Sequence, residues 1–213
     1  MIISHNHPKY QNKRQGLKGD RFNGAYYYSK EICDIIIPLV DTDRNWITIN
    51  VPGEGVDHAI VFIHNNINPG IYDWLSEYED LILVCGIPET CEKVSHLGKA
   101  IYLPLSVDVE EVKKYVRPKT KKRAYVGRWN KQQGGYFLPK TDKLMDMPRS
   151  SLLRSMAEYE EIYAVGRCAI EGLVLGCKIL PYDPRFLDPG IWKVVDSREA
   201  AELLQAELDR VGG

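Results

Sequence analysis

The segment from Val165 to Leu180 has the residue order of a strand, a glycine turn, a helix and a second strand. It reads Val-Gly-Arg-Cys-Ala-Ile-Glu-Gly-Leu-Val-Leu-Gly-Cys-Lys-Ile-Leu, with Gly166 before the helix and Gly176 after it. A helix that begins where a parallel strand ends directs free N–H groups and the positive end of its dipole at a ligand. Gly166 and Arg167 are therefore predicted to contact phosphate or ribose, and Glu171, expected in the first turn, to accept hydrogen bonds from a diol. The alternative is that Glu171 only complements the helix dipole.

A second segment with cations after a strand lies upstream. Residues 125–134 read Tyr-Val-Gly-Arg-Trp-Asn-Lys-Gln-Gln-Gly. Arg128 offers a planar fork for phosphate oxygens, and Lys131 offers a mobile point charge. Gly127, Arg128 and Lys131 are therefore candidates for binding a diphosphate.

The two segments together resemble the donor-site motifs of glycosyltransferases of the GT-B fold. In that family a glutamate on the second helix binds the ribose of the donor nucleotide, and the earlier Arg and Lys contact its diphosphate. Residues 100–108 are similar to the strand and loop that close the N-terminal lobe of these enzymes. The resemblance implies a hexosyltransferase that binds a nucleotide-diphosphate sugar in a cleft between two lobes and transfers the sugar to an acceptor. It also implies that the reaction uses neither a metal nor a cofactor.

Two further groups are candidates for the reaction itself. His64 follows an apolar strand, where it would act as a base or bind sugar hydroxyls, or where loop backbone would satisfy it. Gly16, Gly19 and Arg21 lie in a glycine-containing segment that would fill the place of the family's phosphate and acceptor loop. The alternative for that segment is a flexible surface loop.

Departures from the family pattern leave other functions open. The interval between Arg128 and Glu171 is shorter than in the family, and Tyr163 stands where many retaining members have a first glutamate. These features favour, as an alternative, a non-catalytic protein of the same fold that binds a ligand or a partner. A third hypothesis is a nucleic-acid-associated protein, because basic residues recur at 9–21 and 113–123 and attract polyanions. The same residues would suit an anionic acceptor or a solvated surface.

The overall composition is that of a folded globular protein. Hydrophobic residues make up 44% and charged residues 27% of the 213 residues, and the net charge is -1. No apolar run approaches the length of a membrane span, and the N-terminus lacks the apolar stretch of a secretory signal, so we expect a cytoplasmic protein without a membrane span. The five scattered cysteines are predicted to be reduced and buried. A homodimer, in which a second copy covers apolar surface of the shortened lobe, is a further hypothesis.

Short apolar runs alternate with amphipathic stretches, which predicts an α/β fold of two small Rossmann-like, doubly wound lobes with mainly parallel sheets. Strands are predicted at 2–4, 35–39, 46–51, 59–64, 81–85, 100–104, 123–127, 162–165, 178–181 and 192–195. Helices are predicted at 69–79, 88–97, 150–159, 167–175 and from 197 through 208.

The basic run at 113–123, which is broken by Pro118, is the predicted linker. It divides the chain into an N-terminal lobe of residues 1–116 on the acceptor side and a reduced C-terminal lobe of residues 117–213 on the nucleotide-sugar side.

Overall fold

The protein is an α/β protein with two parallel sheets. The computed structural model describes residues 1–3, 24–48, 57–63, 75–76, 78–127, 141–145, 147–183 and 186–212. The first sheet contains β1 (Ile2–Ile3), β2 (Asn45–Ile47), β3 (Ala59–Ile63), β4 (Ile82–Cys85) and β5 (Lys99–Tyr102). The second contains β6 (Lys121–Val126), β7 (Asp142–Leu144), β8 (Tyr159–Tyr163) and β9 (Lys178–Leu180).

The α-helices of the described residues are α1 (Gly24–Glu31), α2 (Pro88–Val94), α3 (Val109–Lys113), α4 (Arg149–Met156), α5 (Arg167–Val174) and α6 (Ser197–Gly212). A π-helical turn, Ile32–Ile36, and a 3-10 turn, Ile37–Leu39, continue α1, and a second 3-10 turn covers Pro189–Ile191. Within the described ranges, each helix is too short or too polar to cross a bilayer.

The chain forms two compact units. The first contains Ala25–Leu105 and Ser197–Gly213, and the second contains Ser106–Asp196. This division differs from the predicted lobes in two places, the boundary after residue 105 and the assignment of the C-terminal helix. The basic run continues from α3 directly into β6 within the second unit, and α6 belongs to the first unit because its apolar face packs on the turn Ile32–Ile36.

Side chains along the strands of the first sheet point alternately to its two faces, and both faces are buried. On one face the buried core consists of Ile47, Ala59, Val61, Ile63, Leu75, Leu81, Leu83, Cys85 and Val94. On the other face Trp46 stacks on Phe62 with 6.1 Å between ring centroids, and Tyr28 of α1 meets Phe62 edge-on. Burial on both faces explains why β3 and β4 are continuous apolar runs.

The two sheets differ in the order of their strands. In the first, the described strands follow chain order, β1-β2-β3-β4-β5, without a reversal. In the second the order is β7-β6-β8-β9, so the chain leaves β6 to one side and then returns to its other side. Every strand pair in both sheets is parallel. The predicted parallel α/β fold is therefore confirmed, and the predicted doubly wound order occurs in the second sheet.

Two predicted strands are wrong. The run 35–39 is helical, because Ile32 and Ile36 lie four residues apart and both bury their side chains completely. A short apolar run does not by its pattern distinguish a strand from a buried helical turn. The segment 192–195 forms no strand, and only the next residue, Asp196, makes a single bridge to Val107. Most of the predicted helix at 69–79 lies outside the described residues.

Candidate functional site

The candidate site lies at the carboxyl edge of the second sheet, where its strand order reverses. Gly127 directly follows β6, and Gly166 follows β8 and precedes α5. Because β6 and β8 are neighbouring parallel strands, both glycines lie at the same edge. Reversal points of this kind are where open parallel sheets bind ligands.

Backbone geometry requires glycine at both positions. Gly166 has φ 60° and ψ -137°, and Gly127 has φ 143°, conformations that residues with a Cβ rarely adopt. Gly166 also accepts, through its carbonyl, the first hydrogen bonds of α5, from the N–H groups of Ala169 and Ile170. The first turn of α5 therefore begins directly at the carboxyl edge.

Three charged side chains form the centre of the site. Glu171 is 2% exposed, and its Oε1 accepts hydrogen bonds from Arg167 Nε at 2.6 Å and from Arg149 Nη1. Arg167 and Arg149 are 8% and 14% exposed. Glu171 lies four residues after Arg167 and hence in the second turn of α5, so the predicted first-turn position is wrong. Its carboxylate contacts two cations in the described residues, a contact that its position in the sequence did not predict.

Arg149 is a site residue that the sequence reasoning missed. It is the first residue of α4, just as Arg167 is the first residue of α5. A cation at a helix N-terminus opposes the helix dipole. This unfavourable placement is the sequence signal by which Arg149 could have been found.

Two buried tyrosines form a wall beside Gly127. Tyr125 of β6 and Tyr182, which follows β9, meet edge-on with 5.0 Å between ring centroids. A Cβ on Gly127 would lie 3.4 Å from each hydroxyl oxygen. Burial raises the pKa of both phenols, so both hydroxyls are protonated at neutral pH.

Gly172 allows α5 to pack close to the sheet and so sets the distance between Glu171 and the sheet. A Cβ at this position would overlap Cδ1 of Ile162 in β8 and would lie 3.0 Å from Cδ1 of Ile179 in β9. A glycine at such a point permits close helix–sheet packing.

The structure brings together Gly127, Gly166, Arg167 and Glu171 of the predicted site. The other predicted residues lie outside the described residues: His64, Arg128, Lys131, Gly16, Gly19 and Arg21. Their predicted roles remain predictions. Arg128 comes directly after Gly127 in the chain, which keeps it a candidate at this edge.

The basic start of β6 is neutralised by acidic residues in β8 and directly before it. Lys121, Lys122 and Arg123 pair with Glu158, Glu160 and Glu161, at 2.7, 2.6 and 2.5 Å respectively. These cations, with Thr141 and Asp142, line an open groove of about 700 Å³ at the amino-terminal edge of the second sheet. The pairing weakens the argument that this part of the basic run attracts an anionic acceptor or a nucleic acid.

A second charged cluster lies at the amino-terminal edge of the first sheet. Asp80 bonds Nη2 of Arg44 at 2.9 Å and Nδ1 of His58 at 2.8 Å. The three residues lie just before β4, β2 and β3 respectively. Hydrogen bonds from His58 and then Arg44 lower the pKa of Asp80.

The described cysteines and acids do not form a recognisable metal site. No group of three or more His, Cys, Asp or Glu side chains able to hold a metal occurs in the described part of the chain. Cys85 and Cys177 are buried, and burial raises the pKa of both thiols; Cys33, Cys91 and Cys168 are half-buried.

The fold and the site define an α/β protein with Rossmann-like parallel sheets and a cationic cluster at a strand-order reversal. No family model, curated protein or solved structure significantly matches the chain.

Proposed function

We propose that the second unit binds a nucleotide-diphosphate sugar at the carboxyl edge of its sheet, and that the protein is a glycosyltransferase that passes the sugar to an acceptor. The observation that carries the proposal is the reversal of strand order at β6, which brings Gly127, Gly166 and Arg167 to one edge. A diphosphate needs N–H donors and positive charge, and this edge offers both.

Further cations in the sequence favour a phosphorylated ligand. Arg128 and Lys131 follow Gly127 within four positions of the chain, and the proposal takes both as contacts of the diphosphate. The sugar nucleotide is a substrate in this proposal, and the transfer requires no cofactor. His64 remains the proposed group near the reacting carbon.

A ligand screen tests the proposal. Purified protein is heated with UDP, GDP, ADP, CMP and their common sugar conjugates, because a ligand that binds only the folded state raises the melting temperature. We expect one base to raise it clearly, and Gly166→Ala to abolish that rise because the substitution distorts the start of α5. Gly190→Ala, in the exposed 3-10 turn Pro189–Ile191, is the control for a glycine-to-alanine change outside the named site residues. No shift with any nucleotide in the wild type would overturn the proposal.

The second candidate is a non-catalytic ligand-binding protein. Tyr163 at the position of the family's first glutamate favours it, since its side chain lacks a carboxylate. Incubation of a bound donor with water and with a panel of sugar, peptide and nucleic-acid acceptors separates the two candidates. Release of the free nucleoside diphosphate together with a glycosylated acceptor supports the transferase, and binding without turnover across the panel supports the alternative.

A further inference from the structure

Two cysteines of the first unit lie close together where β4 ends and α2 begins. Cys85 is the last residue of β4, and Cys91 is the fourth residue of α2. The helix packs against the strand, and Cys91 packs against the buried core cluster to which Cys85 belongs. The turn between them contains Gly86 and Pro88. The fold thus places two thiols side by side at a strand-to-helix connection.

The two thiols interact directly with each other. Burial raises the pKa of both, so both are protonated at neutral pH. The side-chain hydrogen bond between them raises the pKa of Cys85 further and opposes the rise at Cys91. Cys85 is therefore the donor of this bond and Cys91 its acceptor. Since the thiolate is the reactive form of cysteine, the pair favours reaction at Cys91 first.

The exposure of the two thiols agrees with this order. Cys91 is half-buried and Cys85 is fully buried, so Cys91 is the thiol that a small molecule in solution reaches. A single buried cysteine packs as a small apolar side chain and needs no chemical role. Thiol–disulfide exchange instead needs an accessible thiol that attacks and a second thiol that displaces the leaving group. Cys91 and Cys85 meet these two requirements.

We propose that Cys85 and Cys91 form a reversible dithiol–disulfide pair that a low-molecular-weight disulfide oxidises. The Cys91 thiolate attacks the external disulfide, RSSR, which gives a mixed disulfide on Cys91 and one thiolate, RS⁻. Cys85 loses its proton, attacks the Cys91 sulfur and displaces the second RS⁻. The protein loses two electrons and two protons, and the external disulfide becomes two thiols, RSH. The inference does not depend on the proposed nucleotide ligand.

Peptide mapping of the oxidised full chain tests the proposal. The oxidant is the disulfide of 2-mercaptoethanol, which is small and uncharged. The remaining thiols are alkylated, and the protein is digested without reduction by a protease that cleaves after glutamate. Cleavage after Glu89 separates Cys85 from Cys91, so a bond between them joins two peptides that a reductant separates. We expect this joined pair in the wild type. Alkylation of both thiols, or a mixed disulfide that stays on Cys91, would overturn the inference.

Two single variants test the order of the two steps. In Cys85→Ala the second thiol is absent, so we expect Cys91 to keep the 2-mercaptoethanol group as an added mass. In Cys91→Ala the accessible thiol is absent, so we expect Cys85 to stay reduced in the folded protein. Oxidation of Cys85 in Cys91→Ala at the wild-type rate would contradict the assigned order. Melting temperatures show whether each variant is folded, and the wild-type result does not depend on either variant.

Cys33→Ala is the matched control for the loss of one thiol. Cys33 is also a half-buried cysteine of the first unit, and its Sγ lies 3.9 Å from Oγ1 of Thr48. The joined peptides should form in this variant as in the wild type. Their loss, or a bond from Cys33 to Cys91 in the wild type, would contradict the assignment of the pair. The nucleotide screen is read separately, so failure of either proposal leaves the other standing.

Discussion

Asp80 in the first unit and Glu171 in the second are each held between two basic side chains, but the two clusters differ in burial and in position. In the first unit Asp80 is 39% exposed, and its partners Arg44 and His58 are 21% and 71% exposed. This cluster lies where strands begin, at the edge of a parallel sheet opposite to the one that usually binds ligands. Water solvates its charges, so it ties three strand starts together without needing further compensation.

In the second unit the carboxylate is almost fully buried, and its partners are nearly so. Glu171 is 2% exposed, and Arg167 and Arg149 lie at the edge where β6 and β8 end. Water compensates little of the charge there, so the protein or a ligand must do so. A similar set of side chains therefore links strand starts at the surface of the first unit and forms a buried candidate binding site in the second.

The largest expected effect is on stability when the buried carboxylate is removed. Glu171→Ala leaves two buried guanidinium groups without their shared counter-ion, and loss of one partner from a buried pair costs about 3–5 kcal/mol. Urea unfolding measures it as a fall in the midpoint at unchanged slope. The exposed Glu160→Ala is the matched control and should hardly change the midpoint. A loss as small in Glu171→Ala would mean that water compensates both arginines, and the contrast between the clusters would disappear.

A smaller effect is expected where α5 touches the sheet. Gly172→Ala places a methyl group against Cδ1 of Ile162, and overpacking of this kind costs about 1–3 kcal/mol. Ile162→Val removes that Cδ1, so the double variant should be more stable than the two single losses predict, as a thermal double-mutant cycle measures. Additive losses would show that the close approach at Gly172 does not position the helix that carries Glu171.

Much of the fold could be predicted from the sequence because its buried strands are apolar on both faces. The runs at 59–63 and 82–85 have no polar residue to obscure the pattern. The run at 35–39 looked the same but is helical, because its burial depends on α6, which is distant in sequence. The short strand β7 was missed because two of its three residues are charged and exposed.

The candidate site could be predicted in part for a similar reason. Gly166 and Gly127 were found because turns that require glycine leave a local signal. Arg149 was missed because its partner is Glu171, a tertiary contact across 22 positions of sequence. The same contact changes the interpretation of Glu171, since a carboxylate that looks unpaired in the sequence has two partners in the fold.

Acid should weaken the exposed cluster in a direction fixed by the Asp80 pKa. The folded-state pKa of Asp80 is lowered from its ordinary value of 3.8 by hydrogen bonds from His58 and Arg44. Its stabilising contribution is therefore present above that ordinary value and is lost as pH falls through the lower folded-state pKa. Asp80→Asn should lower the melting temperature slightly at neutral pH, and the two curves should converge in acid.

Asp43→Asn removes the same charge from the exposed loop before β2 and is the matched control for this titration. Its melting temperature should run parallel to the wild type across the acid range. If the melting temperature of Asp80→Asn also runs parallel to that of the wild type, ionised Asp80 adds nothing to the stability of the fold. The cluster of Asp80, Arg44 and His58 then does not hold the three strand starts of the first unit together.

The smallest effect is expected at the paired cations of β6. Lys122 and Glu160 are 70% and 52% exposed and face each other across neighbouring strands. Exchanging them, as Lys122→Glu with Glu160→Lys, preserves the pair and the net charge, and exposed ion pairs contribute little. The melting temperature should therefore stay unchanged, and ligand affinity at the opposite edge of the sheet should stay unchanged with it. A marked loss of affinity in the exchanged variant would instead mean that charges at the amino-terminal edge of the second sheet take part in ligand binding. The two edges of the sheet would then not differ in function.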